Sequence, residues 1–231
     1  MKFFKNIFAF LLVPAAGAAG CVFLEYLLYF AICAKSKCEY VPFWIGVVCY
    51  IVFQIVFYKP MRTYVFGHEL SHAVVGVLSG AKVKKFNVGK KFGSVVLTKG
   101  NICIALAPYF FPVYTFAVIM IYVFLGWFTD IRIFYGFFLF FVGFSCAFHV
   151  ALTICALVTK QSDLKIHGVF FSLVMIFTLN TAVFATIAAL VFPNEVNLKK
   201  IFLQIFVNVI NVYKFMYNGV LGVWLAFQKM K

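Results

Sequence analysis

Seven apolar runs joined by short, mostly basic links constrain this chain more than any other feature. They cover about residues 8–34, 41–58, 62–79, 102–128, 131–158, 168–192 and 201–227. Each approaches or exceeds the ~20 residues that an α-helix needs to cross a hydrocarbon core. No polar stretch between them exceeds about 20 residues, too few to fold as a soluble domain. Within a bilayer every backbone N–H and C=O must find a partner inside the protein, and a helix does this within one segment. The expected architecture is an all-α polytopic membrane protein with six or seven transmembrane helices. It reads as one membrane-embedded domain over 1–231, with a core at 62–180 and accessory helices at 1–61 and 181–231.

Composition agrees. The 231 residues are 65% hydrophobic and only 11% charged, against about 25% charged in an ordinary soluble domain. The net charge of +14 invites a nucleic-acid partner, but the basic residues lie between apolar runs rather than on one polar face. They read as topology signals and contacts to anionic lipid, with no nucleic acid implied. If the N-terminus is outside and every run crosses, twelve lysines fall inside and seven Lys or Arg outside, with Lys214 unassigned. That balance follows the positive-inside rule. Met1–Gly20 has the look of a signal peptide, but its apolar run continues to about Ala34, which favours an uncleaved helix. The seven cysteines, Cys49 and Cys146 among them, lie mostly within apolar runs and form no CxxC pair, so they read as small buried hydrophobes.

One apolar run carries chemistry. His68-Glu69-Leu70-Ser71-His72 is an HExxH motif. On a helix, His68 and His72 stand one turn apart on one face and can reach one metal ion. Glu69 beside them can hold a water and take its proton. The competing reading is a pair of hydrogen-bonded core histidines with a stray carboxylate, and three polar groups buried without function are costly there. Glu25, inside the first run, is a second intramembrane carboxylate; a functional role and a bond to a neighbouring helix stand level.

Gly80 should end the HExxH helix. Residues 81–99 then form the only clearly polar stretch, six lysines interleaved with Val83, Phe86, Val88, Phe92, Val95 and Leu97. Two β-prone runs flank Gly89 and Gly93, which predicts a small β-hairpin at the membrane surface. Its edge could pair with an extended peptide, and Phe86, Asn87, Val88 and Gly89 are the candidate substrate contacts. The alternative is a basic loop held by anionic headgroups. Pro108 and Pro112 should kink the next run near its start.

A catalytic zinc needs three protein ligands and one open position. Beyond the two histidines the candidates are Asp130, His149, Asp163, His167 and Glu195, with Glu25 and Glu39 upstream. Asp130 and Glu195 fall on the wrong side in the topology above. Asp163 is the first choice, at the start of a membrane helix on the side where the HExxH helix ends. His149 remains as an alternative ligand or as a hydrogen-bond partner of one, and His167 lies one turn beyond Asp163.

These residues resemble the site-2 protease family of intramembrane zinc metallopeptidases, especially its compact bacterial members. The match runs through His68-Glu69-Leu70-Ser71-His72 and Gly80-Ala-Lys-Val-Lys-Lys-Phe-Asn-Val-Gly89 to Asp163, over about residues 62–180. Here Gln161-Ser162-Asp163-Leu164 lacks the Asn-x-x-Pro and Asp-Gly pattern common in that family. The resemblance implies one zinc ion held by His68, His72 and Asp163, with Glu69 as general base. It also implies that residues 81–99 guide an unwound transmembrane substrate, and that the protein sits as a multi-pass chain in a bacterial cytoplasmic membrane. The competing functions are an inactive relative that binds or regulates membrane proteins, and a metal-binding transporter or channel. Four histidines are too few for a membrane desaturase, and no acidic motif surrounds Glu195 as a downstream-Glu protease would need.

Overall fold

Segments of uninterrupted Leu, Val, Ile, Phe and Ala have fallen into helices almost everywhere in the computed structural model, which describes residues 2–33, 40–57, 60–90, 92–158, 162–193 and 196–229. The helices are α1 (Lys2–Cys33), α2 (Val41–Val56), α3 (Met61–Leu78), α4 (Ile102–Phe110), α5 (Val113–Gly126), α6 (Tyr135–Val158), α7 (Ser162–His167), α8 (Val169–Val191) and α9 (Leu198–Lys229). Strands β1 (Val83–Val88) and β2 (Gly93–Leu97) follow α3, and a 3-10 turn, Ile131–Phe134, precedes α6.

By length and composition three helical stretches can cross a membrane: Phe4–Tyr26, Ile131–Val158 and Val169–Val191. The pair α4 and α5 makes a fourth if it counts as one span, bent by 77°. The other three sequence-predicted runs are helical but differ in kind. Helix α2 is short, α3 interrupts its apolar residues with Arg62, His68, Glu69 and His72, and α9 carries Gln204, Asn208, Asn211, Lys214 and Asn218.

The chain divides into two compact units, Met1–Tyr29 with Phe170–Lys231 and Phe30–Val169. In the first, Phe23 packs against Phe184 with ring centroids 6.1 Å apart. Glu25 is exposed and accepts a hydrogen bond from the Gln204 side-chain amide at 3.0 Å. The hydroxyl of Tyr213 donates to the Leu11 carbonyl.

The second unit is built on helices brought into backbone contact. An added Cβ at Gly46 of α2 would lie 2.0 Å from the Phe140 carbonyl oxygen, and one at Gly143 of α6 would lie 2.0 Å from that of Phe43. Small residues allow such close crossing where lipid offers no hydrophobic drive between helices. Beside the crossing, Tyr50 packs on Phe144 and Phe148. The expected kink is a full break. Pro108 sits within α4, whereas Pro112 lacks the N–H that would continue the helix and becomes the N-cap of α5. Carbonyls at the break find other partners: Thr153 donates to the Tyr109 carbonyl at 3.2 Å, and the Val113 N–H donates to that of Phe111 at 2.9 Å.

Candidate metal centre

Helix α3 ends as its sequence requires, with Gly80 at φ +75°, a conformation that glycine takes without strain. The chain then turns back as an antiparallel hairpin, with Phe86 opposite Val95, Asn87 opposite Ser94 and Val88 opposite Gly93. It packs on α3 because glycines clear the way. A Cβ at Gly76 would meet Leu97 Cδ1 at 2.7 Å, and one at Gly93 would meet Glu69 Cγ at 2.5 Å and Val65 Cγ1 at 2.8 Å.

On this scaffold His68, Glu69 and Ser71 are buried and His72 is partly exposed. Asp163 arrives in the first turn of α7, a six-residue helix that Gly168, at φ +95°, separates from α8. Its Oδ2 lies 3.5 Å from His68 Nε2 and 3.7 Å from His72 Nε2. Among the described residues, His68, His72 and Asp163 are the one group of three or more His, Cys, Asp or Glu whose ligand atoms all lie within 4.8 Å of one another.

The group fits a divalent metal with nitrogen and oxygen preference. Two ligands bonded tetrahedrally to zinc at about 2.0–2.1 Å stand roughly 3.3–3.4 Å apart, so the distances here need to close by only a few tenths of an ångström. The protonation states also suit. His72 Nδ1 lies 2.7 Å from the Ile104 carbonyl oxygen. A carbonyl only accepts, so Nδ1 carries a proton and Nε2 is the ring nitrogen turned to the cluster. That carbonyl is itself fixed, because Asn101 caps α4 by accepting from the Ile104 N–H at 2.7 Å. Burial pushes the Asp163 carboxyl up, but the two facing imidazoles outweigh it and hold the group well below the usual carboxylate range. The ligand set therefore presents a carboxylate and two imidazole nitrogens, and a bound metal would take the place of any proton they share.

A cavity of about 500 Å³ opens beside the cluster, lined by His68, Glu69, His72 and Asp163 on one side and by β2 with Thr98, Lys99 and Gly100 on the other. Glu69 accepts a hydrogen bond from the Val95 backbone, so the hairpin touches the carboxylate directly. Polar atoms converge on an open space, an arrangement suited to holding a metal, a water and an extended chain together.

The other candidates lie elsewhere. His149 is buried on α6, and His167 is half-buried at the end of α7; neither joins the cluster. Asp130 is exposed and paired with Arg132 at 2.9 Å. Glu39 and Glu195 lie outside the described residues. Phe86, Asn87, Val88 and Gly89 do not line the cavity, because pairing with β2 puts β1 one strand away from it. The Phe86 ring instead meets Phe66 of α3 edge-on. Sequence reasoning passed over β2 as the cavity wall, Asn101 and two tyrosines beside His68, Tyr64 and Tyr109. Asn101 had a signal, a capping residue just before an apolar helix; the tyrosines had none.

No family model, curated protein or solved structure matches this chain.

Proposed function

We propose that this chain is an intramembrane zinc endopeptidase of the site-2 protease kind. It would cross the membrane six or seven times and hydrolyse peptide bonds of transmembrane proteins or peptides. The observation that carries the reading is the convergence of His68, His72 and Asp163 on one point beside Glu69, at the edge of a cavity walled by a β-strand. Two imidazoles and a carboxylate make a three-ligand set with room for a fourth position, the pattern of hydrolytic zinc rather than of closed structural zinc. Zinc, when bound there, supplies a Lewis acid that acidifies water and polarises a carbonyl.

The remaining work falls to the chain's own residues. Glu69 takes the proton from the attacking water and delivers it to the departing amine. The Val95 hydrogen bond and the Gly93 contact hold its carboxylate in place. A transmembrane substrate hides its peptide bonds in helical hydrogen bonds and must unwind before attack. The hairpin beside the cavity offers backbone groups to an extended segment. Lipids surround the apolar helices, and the lysines between them face anionic headgroups.

The test is zinc stoichiometry on detergent-purified protein by mass spectrometry. Wild type and Glu69→Gln should each hold one zinc per chain, and Asp163→Ala should hold almost none. Glu69→Gln should also lose peptide cleavage. A folded wild type that binds no zinc under saturating conditions overturns the reading.

A further inference from the structure

His68 and His72 are oriented by different means. His72 has the hydrogen bond from its second nitrogen to the Ile104 carbonyl. His68 Nδ1 is buried and has no hydrogen-bond partner among the described residues. A metal-binding histidine is ordinarily fixed by a bond at that nitrogen, so something else must set the plane of this ring.

Aromatic rings surround it. Tyr64, one turn earlier on α3, stacks near-parallel at 23° with centroids 6.3 Å apart. Tyr109 of α4 meets the ring edge-on, at 78° and 6.1 Å. His72 closes a third side at 5.0 Å. Both tyrosines are themselves held. Tyr109 has no exposed surface, and its carbonyl accepts from Thr153. Tyr64 is buried, and its i, i+4 spacing to His68 brings the two rings together.

We infer that Tyr64 and Tyr109 clamp the imidazole of His68 by ring packing and are positioning residues of the metal centre. The inference rests on the proposed metal site. Parallel and edge-on contacts restrict rotation about the ring's χ2 axis, which is otherwise broad for histidine. That rotation would swing Nε2 away from Asp163.

The experiment measures zinc affinity by chelator competition on the full-length, detergent-solubilised protein, together with the ligand-field spectrum after Co²⁺ loading and the melting temperature of the metal-free form. Tyr109→Leu and Tyr64→Leu should each weaken zinc binding by about ten- to a hundredfold and shift the Co²⁺ bands. Tyr109→Phe and Tyr64→Phe keep the ring and should restore both towards wild type. Tyr122→Leu removes a tyrosine stacked on Phe138, away from the cluster; it should lower the metal-free melting temperature without changing zinc affinity. Should one Leu variant fail to fold, the other carries the test.

Zinc affinity and Co²⁺ bands unchanged in a folded Leu variant overturn the clamp and leave the metal centre standing. Phe variants as weak as Leu variants also overturn it, since the hydroxyls would then matter rather than the rings. A wild type that binds neither metal removes the metal site and the clamp together.

Discussion

The two units use glycine in opposite ways. In the 30–169 unit, five glycines are points of contact. Gly46 and Gly143 let α2 and α6 touch backbone to backbone, Gly67 accepts the ring of Tyr114, Gly76 accepts Leu97, and Gly93 lies on Glu69. In the unit formed by 1–29 and 170–231, a Cβ added at Gly17, Gly219 or Gly222 would meet nothing within 4 Å, and at Gly20 it would meet only the end of the Phe177 ring. The contacts in which a glycine meets another helix's backbone, with no room for a methyl group, are therefore found in the unit with the metal-ligand cluster. Three ligands from α3 and α7 keep a common focus only if the elements between them cannot slide, and backbone contact is the least compliant way to prevent sliding.

The strongest way to break this contrast is to add a methyl group at the helix crossing. Gly143→Ala puts a Cβ 2.0 Å from the Phe43 carbonyl oxygen, and Gly46→Ala does the same against Phe140. Neither obstacle is a flexible side-chain end, so the helices must part. Each substitution should cost about 3 kcal/mol, the upper end of ordinary overpacking, seen as a lower melting temperature in detergent. Gly136→Ala, also on α6, has only Pro42 at 3.8 Å and serves as the tolerated control. An unchanged melting temperature in Gly143→Ala would remove the backbone crossing from the account.

A methyl group at Gly93 tests the same idea closer to the chemistry. It would press on Glu69 at 2.5 Å and Val65 at 2.8 Å, and its three nearest atoms belong to these two residues and to no metal ligand. Zinc content should stay at one per chain. Turnover of any transmembrane peptide that the wild type cleaves should fall by about a hundredfold, the scale expected when a reacting group is displaced by about 1 Å. Gly100→Ala adds the same methyl group at the cavity wall where nothing lies within 4 Å, and it should be silent. Equal rates for Gly93→Ala and wild type would separate the hairpin from the proposed general base.

What could be read from the sequence follows the same division between local and non-local physics. Helix periodicity alone put His68 and His72 on one face, the apolar runs located every long helix, and paired β-prone runs around Gly89 and Gly93 predicted the hairpin. Elimination and side-of-membrane bookkeeping favoured Asp163, the resemblance implied it too, and the structure brings that residue beside both histidines. The misplaced features depend on which surface faces which. Phe86–Gly89 and Gly93–Leu97 are equally strand-like in sequence, and only packing on α3 decides which borders the cavity. Pro112 announced a disturbance in the helix, but at the 77° break the Tyr109 carbonyl is taken up by Thr153, which lies 44 residues further along the chain. The tyrosines beside His68 are two among twelve, and nothing in their neighbouring residues separates them from the rest.

The smallest predicted effect is the most discriminating, because it has the opposite sign. Gly219 and Gly222 lie in the interior of α9 with open space around them, and neither has positive φ. Glycine in a helix interior costs roughly 0.5–1 kcal/mol relative to alanine, through the backbone freedom it loses on folding. Gly219→Ala and Gly222→Ala should therefore leave stability unchanged or raise it by up to that amount, with zinc content as in wild type. The readout is thermal unfolding in the same detergent as for Gly143→Ala. If Gly222→Ala destabilised the protein as much as Gly143→Ala, α9 would have to pack as tightly as the α2–α6 crossing, and the contrast between the two units would fail. A neutral or positive shift beside a large loss at Gly143 would confine close backbone packing to the unit that carries the cluster.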